Sequence, residues 1–162
     1  MDDLSVEQLK LLGRGTYTII FSLNNDVEVK VGRLGQLFFR RGLYSYTGSA
    51  LGPSNLSLYY RVLRHISRSK RLWWHIDYLL TRRDSEVLAV VAAPTTMRFE
   101  CKISAALSTL EGVRTIRGFG SSDCSCIGHL HYYVRMSLDE ILKIVSSVYD
   151  EFGLLCKVII LC

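Results

Sequence analysis

An arginine and a histidine four residues apart on a helix, just behind a tyrosine strand and a glycine turn, form the layout in this chain best suited to gripping phosphate. The strand reads Tyr44-Ser45-Tyr46-Thr47-Gly48-Ser49-Ala50, the turn is Leu51-Gly52-Pro53, and the next helix carries Arg61 and His65. Arg61 offers a permanent, planar donor fork to phosphate oxygens. His65, one turn on, can donate a second hydrogen bond or move a proton near neutral pH. His75 follows after a basic run and two tryptophans, Trp73 and Trp74. Tyr17 lies on a strand expected beside that of Tyr46. A phenol of reference pKa about 10 takes a proton from water only with a cation or metal close by. Glu100 stands beside an apolar stripe near a helix start, where the dipole favours an acid. It is also the oxygen ligand that a hard divalent cation takes.

Each of these side chains also has an ordinary reading. Arg61 and His65 could be a solvated helix face, and the two tyrosines half-buried packing residues. Trp73 and Trp74 suit core or DNA-groove packing better than a stacking platform. Cys124, Cys126, His129 and His131 are ligand types for zinc. Their Cys-x-Cys and His-x-His spacings are not those of a common finger and promise no tetrahedron, so free thiols and strand histidines are expected there rather than structural zinc.

Charge points in one direction. Lys and Arg exceed Asp and Glu by 5 overall, but between Lys30 and Arg83 there are eleven basic residues and one acid, Asp77. That stretch nets +10, and the rest of the chain, with nine basic and fourteen acidic residues, nets −5. Such asymmetry favours a polyanionic partner on one face. With 162 residues, 49% of them hydrophobic, the chain can bury one real core. No apolar run could span a bilayer. The acidic start shows no targeting segment, and five cysteines without one suggest reduced thiols in a cytoplasmic protein.

The elements that must position these residues follow from pattern and punctuation. Ser5-Val6-Glu7-Gln8 has the form of a capping box before a short helix that Gly13 stops. Residues 16–21 and 27–31 read as a hairpin, residues 35–41 as a turn with a short extra strand, and residues 42–48 as the next strand. A helix opens near Pro53, capped by Ser54 or Asn55, with Leu56, Tyr59, Tyr60, Leu63 and Ile66 facing the core. Arg61, His65, Arg64 and Arg68 share its other face. Residues 73–80 read as a turn running into a strand, and residues 86–92 as a buried strand. Thr95 or Thr96 begins a helix carrying Glu100. Residues 118–125 form a glycine and serine loop, and residues 129–134 a strand. Ser137-Leu138-Asp139-Glu140 caps a helix ending near Gly153, and residues 154–161 form a last, apolar strand. Short elements without βαβ alternation predict an α+β fold in one domain over residues 1–162, with a core at about 13–133 and a helix–strand extension at 134–162.

Taken together and in order, Gly15-Thr16-Tyr17, Tyr46-Thr47-Gly48, Arg61 with His65, His75 and Glu100 resemble the GIY-YIG endonuclease superfamily. Trp74-His75-Ile76-Asp77-Tyr78-Leu79-Leu80, Glu100-Cys101 and Gly118-Phe119-Gly120-Ser121-Ser122-Asp123-Cys124 are similar to its stand-alone, Uri-type branch. The resemblance covers roughly residues 13–133. It implies a small, mainly antiparallel sheet flanked by helices, and DNA phosphodiester hydrolysis with one divalent ion, Mg²⁺ or Mn²⁺. In that reading Tyr17 or Tyr46 positions or deprotonates the attacking water, and Arg61 stabilises charge on the phosphate. His65 and His75 assist proton transfer or phosphate contact, Glu100 binds the metal, and Gly15 and Gly48 are structural, Gly48 by letting the backbone turn tightly. Arg64, Arg68, Lys70 and Arg71 would hold the DNA backbone with little sequence reading.

Three departures stand out. Thr replaces the middle Ile in both tyrosine motifs. Twenty-eight residues separate Tyr17 from Tyr46, which residues 24–41 account for. No Asn follows Asn55, so Ser122 or Asp123 is left to complete the late part of the site. The alternative is a catalytically inactive nucleic-acid-binding module of the same fold. A third possibility is a protein-interaction domain pairing through its C-terminal strand edge, and the chain is expected to be a monomer or homodimer.

Overall fold

β-branched and aromatic residues build the centre. The structure, a computed structural model, describes residues 3–162. Gly15–Leu23 forms β1 and Gly42–Ala50 forms β4, antiparallel in unbroken register with Tyr17 opposite Gly48 and Ile19 opposite Tyr46. The apolar run Ser85–Pro94, β5, takes the other edge of β1. With Val113–Ile116 (β6), Leu130–Tyr133 (β7) and Lys157–Ile160 (β8), these strands make one antiparallel sheet in the order β6-β7-β4-β1-β5-β8. Covered on both faces, β1 is buried almost throughout, as a central strand must be to read this apolar.

Two cores flank this sheet. On one face α1 (Asp3–Glu7), α2 (Leu58–Ile66) and α3 (Asp77–Leu80) pack over Tyr17, Ile19, Phe21 and Phe119. On the other, α4 (Glu100–Ser108) and α5 (Leu138–Glu151) pack over Ile20, Ala89, Val91 and Tyr133. The fold is therefore α+β, with five α-helices among the described residues. α5 opens with the capping box read from sequence: the Ser137 hydroxyl accepts from the Glu140 amide, and the Glu140 carboxylate accepts from the Ser137 amide. The C-terminal helix and strand join the same sheet and core. Leu155, Val158 and Ile160 remain exposed at its β8 edge.

Several expectations about elements need correction. Residues 27–31 do not pair with β1, because β4 and β5 occupy both of its edges. Instead Val27–Lys30 (β2) pairs with Gln36–Phe39 (β3) as a separate two-stranded sheet. This is the insertion between Tyr17 and Tyr46. Residues 73–80 hold a turn and then α3, not a strand, because the Asp77 carboxylate accepts from the Trp73 and Trp74 amides and coils the segment. The Thr95 hydroxyl accepts from the Met97 amide, a local turn that delays the next helix to Glu100. Helix α1 already runs through Ser5, so Ser5 is not its cap. β6, between α4 and the glycine loop, was not anticipated.

The phase of α2 also differs. Ser54–Leu56 is a separate 3₁₀ turn, and the α-helix restarts after Ser57. The restart buries Leu58, Tyr59, Val62 and His65, while Leu56 and Tyr60 stay about half exposed. His65 thus leaves the solvent face it was expected to share with Arg61.

Candidate active site

Residues far apart in sequence meet at one end of the sheet. A cavity of about 510 Å³ is lined by Tyr17, Tyr46, Arg61, His75 and Glu100, the residues singled out from sequence, together with Ser122 and Asp123. Tyr17 and Tyr46 come from β1 and β4, on the face that α2 covers. Glu100 arrives from the opposite layer, at the first turn of α4, where it meets the Ser49 end of β4. The Ser49 hydroxyl donates to the Glu100 carboxylate, and Arg98 lies 3.9 Å from its other oxygen. Arg61, from α2, reaches the Ser49 carbonyl from its own side at 3.5 Å.

Gly48 has a role other than the expected tight turn. It sits inside β4, and a Cβ there would come within 2.5 Å of the Tyr17 hydroxyl, so its missing side chain is what admits the phenol. Gly15 is equally a packing glycine: a Cβ would meet the Ala93 carbonyl.

His65 lies behind Tyr17 rather than in the cavity, 1% exposed, with its Nε2 2.8 Å from the Tyr17 oxygen. Its Nδ1 is buried without a partner. An N–H without an acceptor is costlier to bury than a bare lone pair, so the proton belongs on Nε2, donated to Tyr17. That leaves the Tyr17 O–H free for the cavity. Burial pulls the His65 pKa to about 3, so the ring is neutral near pH 7, and it is a positioning residue. Burial also pushes both cavity phenols above their ordinary value; at Tyr17 the Arg61 guanidinium opposes that rise.

A pH dependence of stability follows. Unfolded, His65 takes a proton near pH 6.5; folded, it resists one down to about 3. The unfolded state therefore binds more protons in that window, and stability falls as pH drops from about 6.5, by roughly 1.4 kcal/mol per unit for one such group. Urea unfolding between pH 4 and 6 should show a slope shallower by about one proton in His65→Asn than in wild type. Parallel slopes would mean that the ring is not held neutral.

A buried network behind the cavity was not foreseen. Asp77, 0% exposed, accepts two 2.9 Å bonds from Arg64 besides those from the Trp73 and Trp74 amides. Lys70 lies 3.7 Å from it and donates to the Arg64 and His65 carbonyls at the end of α2. Two guanidiniums lie over Trp74, those of Arg61 at 4.5 Å and Arg64 at 4.3 Å from its ring. His75 accepts from the Gly120 amide at Nδ1, 2.9 Å away, which ties the glycine loop to this corner. Of the basic residues expected to contact DNA, Arg64 and Lys70 serve this network, and Arg68 donates to the Arg82 and Ser85 carbonyls. Arg71 is exposed. Trp73 is no core residue: it is 70% exposed on the cavity rim.

Beside Glu100 lies a second cluster. Cys101, Cys124, Cys126 and His129 place one ligand atom each within 4.8 Å of one another, a set able to hold a metal ion and closer to zinc chemistry than to magnesium. The expectation against zinc considered the wrong fourth member. β7 begins only at Leu130, so His129 is not bound to the alternation of the strand. His131 is buried elsewhere, 3.1 Å from the Ser104 carbonyl, to which its Nε2–H donates; burial lowers its pKa to about 4. Cys101 takes its place. The structure also pairs Cys101 with Cys126 and leaves Cys124, Cys156 and Cys162 free, where five reduced thiols were expected. Position beside Glu100 was the signal for Cys101 in the sequence.

The sequence model of the family described as "Domain of unknown function DUF123" matches residues 16–153. No curated protein and no solved structure matches. No helix among the described residues is long and apolar enough to cross a membrane.

Proposed function

The chain belongs to the DUF123 family, and on that premise and the contents of the cavity we propose that it is a divalent-metal-dependent endodeoxyribonuclease. Its motif order is that of the GIY-YIG superfamily, in the stand-alone Uri-type branch. One observation carries the proposal: Tyr17, Tyr46, Arg61, His75 and Glu100, spread over more than eighty residues, line one cavity.

The residues fit both a phosphate and a hard cation. Glu100 is mostly buried, with a neutral hydroxyl as its close partner, and Asp123 stands in the same cavity. Mg²⁺ or Mn²⁺ would be held by Glu100 and water, a coordination in which magnesium commonly rests. Such an ion supplies Lewis-acid polarisation of the phosphate and shelter for the leaving oxygen.

The protein's own groups do the rest. Arg61, stacked on Trp74, presents its fork to the phosphate. His75 lines the cavity with Nδ1 occupied by the Gly120 amide, so its proton sits on Nε2, the nitrogen left to donate to a phosphate. Tyr17, its oxygen bound by His65, orients water through its free O–H. Neither phenol is a ready base without a cation beside it, because burial raises both. DNA would be held through its backbone by basic residues, Arg98 on the cavity wall and the exposed Arg71 among them, with strong salt dependence.

Supercoiled plasmid incubated with a Mg²⁺ and Mn²⁺ series tests this. Wild type should nick, and Arg61→Ala should nick ~10²-fold more slowly, the scale for losing one preorganised charge. A protein that is inert with every metal and several DNA structures is not a nuclease. Salt-sensitive binding without cleavage would favour the inactive nucleic-acid-binding module.

A further inference from the structure

We propose that Cys101, Cys124, Cys126 and His129 bind one structural Zn²⁺ that fastens the loop of residues 118–128 to the first turn of α4. His129 Nε2 lies 3.7 Å from the Cys101 sulfur and 3.6 Å from that of Cys124. A tetrahedral zinc, with Zn–S of about 2.3 Å and Zn–N of about 2.0–2.1 Å, spans an S···N edge of about 3.6 Å. All four ligand atoms lie within 4.8 Å of one another, the span of a single ion and too tight for an iron–sulfur cluster. The Cα atoms of Cys101 and Cys126 are 6.0 Å apart, so side-chain rotation alone moves their sulfurs from mutual contact to separate corners of a tetrahedron. Their pairing and the zinc are alternatives for the same sulfurs.

The chain around the cluster explains why a staple is useful there. The loop is held to itself by the Gly118 amide on the Ile127 carbonyl and the His129 amide on the Phe119 carbonyl. Among the described residues, the side-chain bonds that carry it to α4 are those of this cluster. The same loop brings Ser122 and Asp123 to the cavity, and Cys101 directly follows Glu100. Zinc would therefore fix the loop and the Glu100 turn relative to each other. It binds thiolates, so its uptake releases protons and its loss loosens the fold.

The test does not depend on cleavage. Full-length protein purified in reductant should carry about one zinc per chain by elemental analysis, and Co²⁺ should replace it with the visible bands of tetrahedral thiolate ligation. Cys124→Ser, Cys126→Ser and His129→Ala should each lose most of that zinc, while Cys156→Ser, Cys162→Ser and His131→Gln keep it. Chelation of wild type should lower Tm by roughly 5 °C or more, as loss of a tightly bound ligand does. The proposal fails if reduced, folded wild type takes up neither zinc nor cobalt. It also fails if a Cys101–Cys126 disulfide persists in reductant without metal, or if the Cys124 and Cys126 variants stay fully loaded. Zinc retained in a protein that never nicks DNA would sink the nuclease reading alone.

Discussion

Glu100→Gln should reduce metal-dependent nicking by ~10²-fold or more, because the charge that would hold the divalent ion is lost and with it the ion's stabilisation of the reacting phosphate. Glutamine keeps the shape and an oxygen that still accepts from Ser49, so the substitution removes little except charge. The fold should barely notice, because the carboxylate's charged neighbour, Arg98, is 3.9 Å away and largely exposed. DNA binding at matched salt should persist or tighten slightly, since the cavity becomes less negative. The predicted profile is thus specific: cleavage lost, Tm and bound zinc unchanged, DNA retained. Glu100→Asp, with the charge kept but drawn back, should recover part of the rate at raised metal concentration. Nicking at the wild-type rate by Glu100→Gln, with the same metal dependence, would remove this carboxylate from the proposed site.

Much of the fold was legible because a few physical signals dominate it. The β-branched stretch before Leu23, the tyrosine strand and the apolar run before Pro94 are central strands, and burial on both faces leaves them no other composition. The capping box at Ser137 forms as written, since both of its bonds are local. The convergence of Tyr17, Tyr46, Arg61, His75 and Glu100 could not come from local pattern at all. It came from the order of motifs, which fixes topology when single residues do not.

What escaped the sequence was set by side-chain chemistry across the fold. A single apolar stripe put His65 on the solvent face, but the Ser54–Leu56 turn resets the phase of α2 and turns the ring under Tyr17. Asp77 looked like the lone acid of a basic stretch, and the basic side chains around it like a DNA footprint. In the structure it is their buried partner, so charge counted along the chain overstated what is free for phosphate. Cys101 carried no signal as a ligand beyond its place next to Glu100, because it lies 23 residues before Cys124 and meets it only through tertiary packing.

Asp77→Ala should be the most destabilising single change near the site, by about 3–5 kcal/mol, the range for stripping one partner from a buried charge network. That is a large share of the roughly 5–15 kcal/mol that holds a domain together. Burial by itself would raise the Asp77 pKa, but Arg64 and the Trp73 and Trp74 amides outweigh it and hold the carboxyl below its usual range. Removing it strands the Arg64 guanidinium against Trp74 and leaves two amides without their acceptor. Lys70, whose ammonium burial already pulls down to about 8, loses its counter-charge as well. Asp77→Asn should cost less, because its oxygen can still accept from one or both amides. The sign with pH is fixed: a lowered carboxyl contributes fully above the ordinary range, and the gap between wild type and Asp77→Ala should close as pH falls below about 4. Because the network seats Trp74 and His75, a folded remnant of the variant should also nick slowly, through Arg61 and the Gly120 loop rather than through any contact of Asp77 with DNA. Urea unfolding of Asp77→Ala within 1 kcal/mol of wild type at pH 7 would mean that the network carries little of this fold, and that Trp74 and His75 are held in place by packing alone.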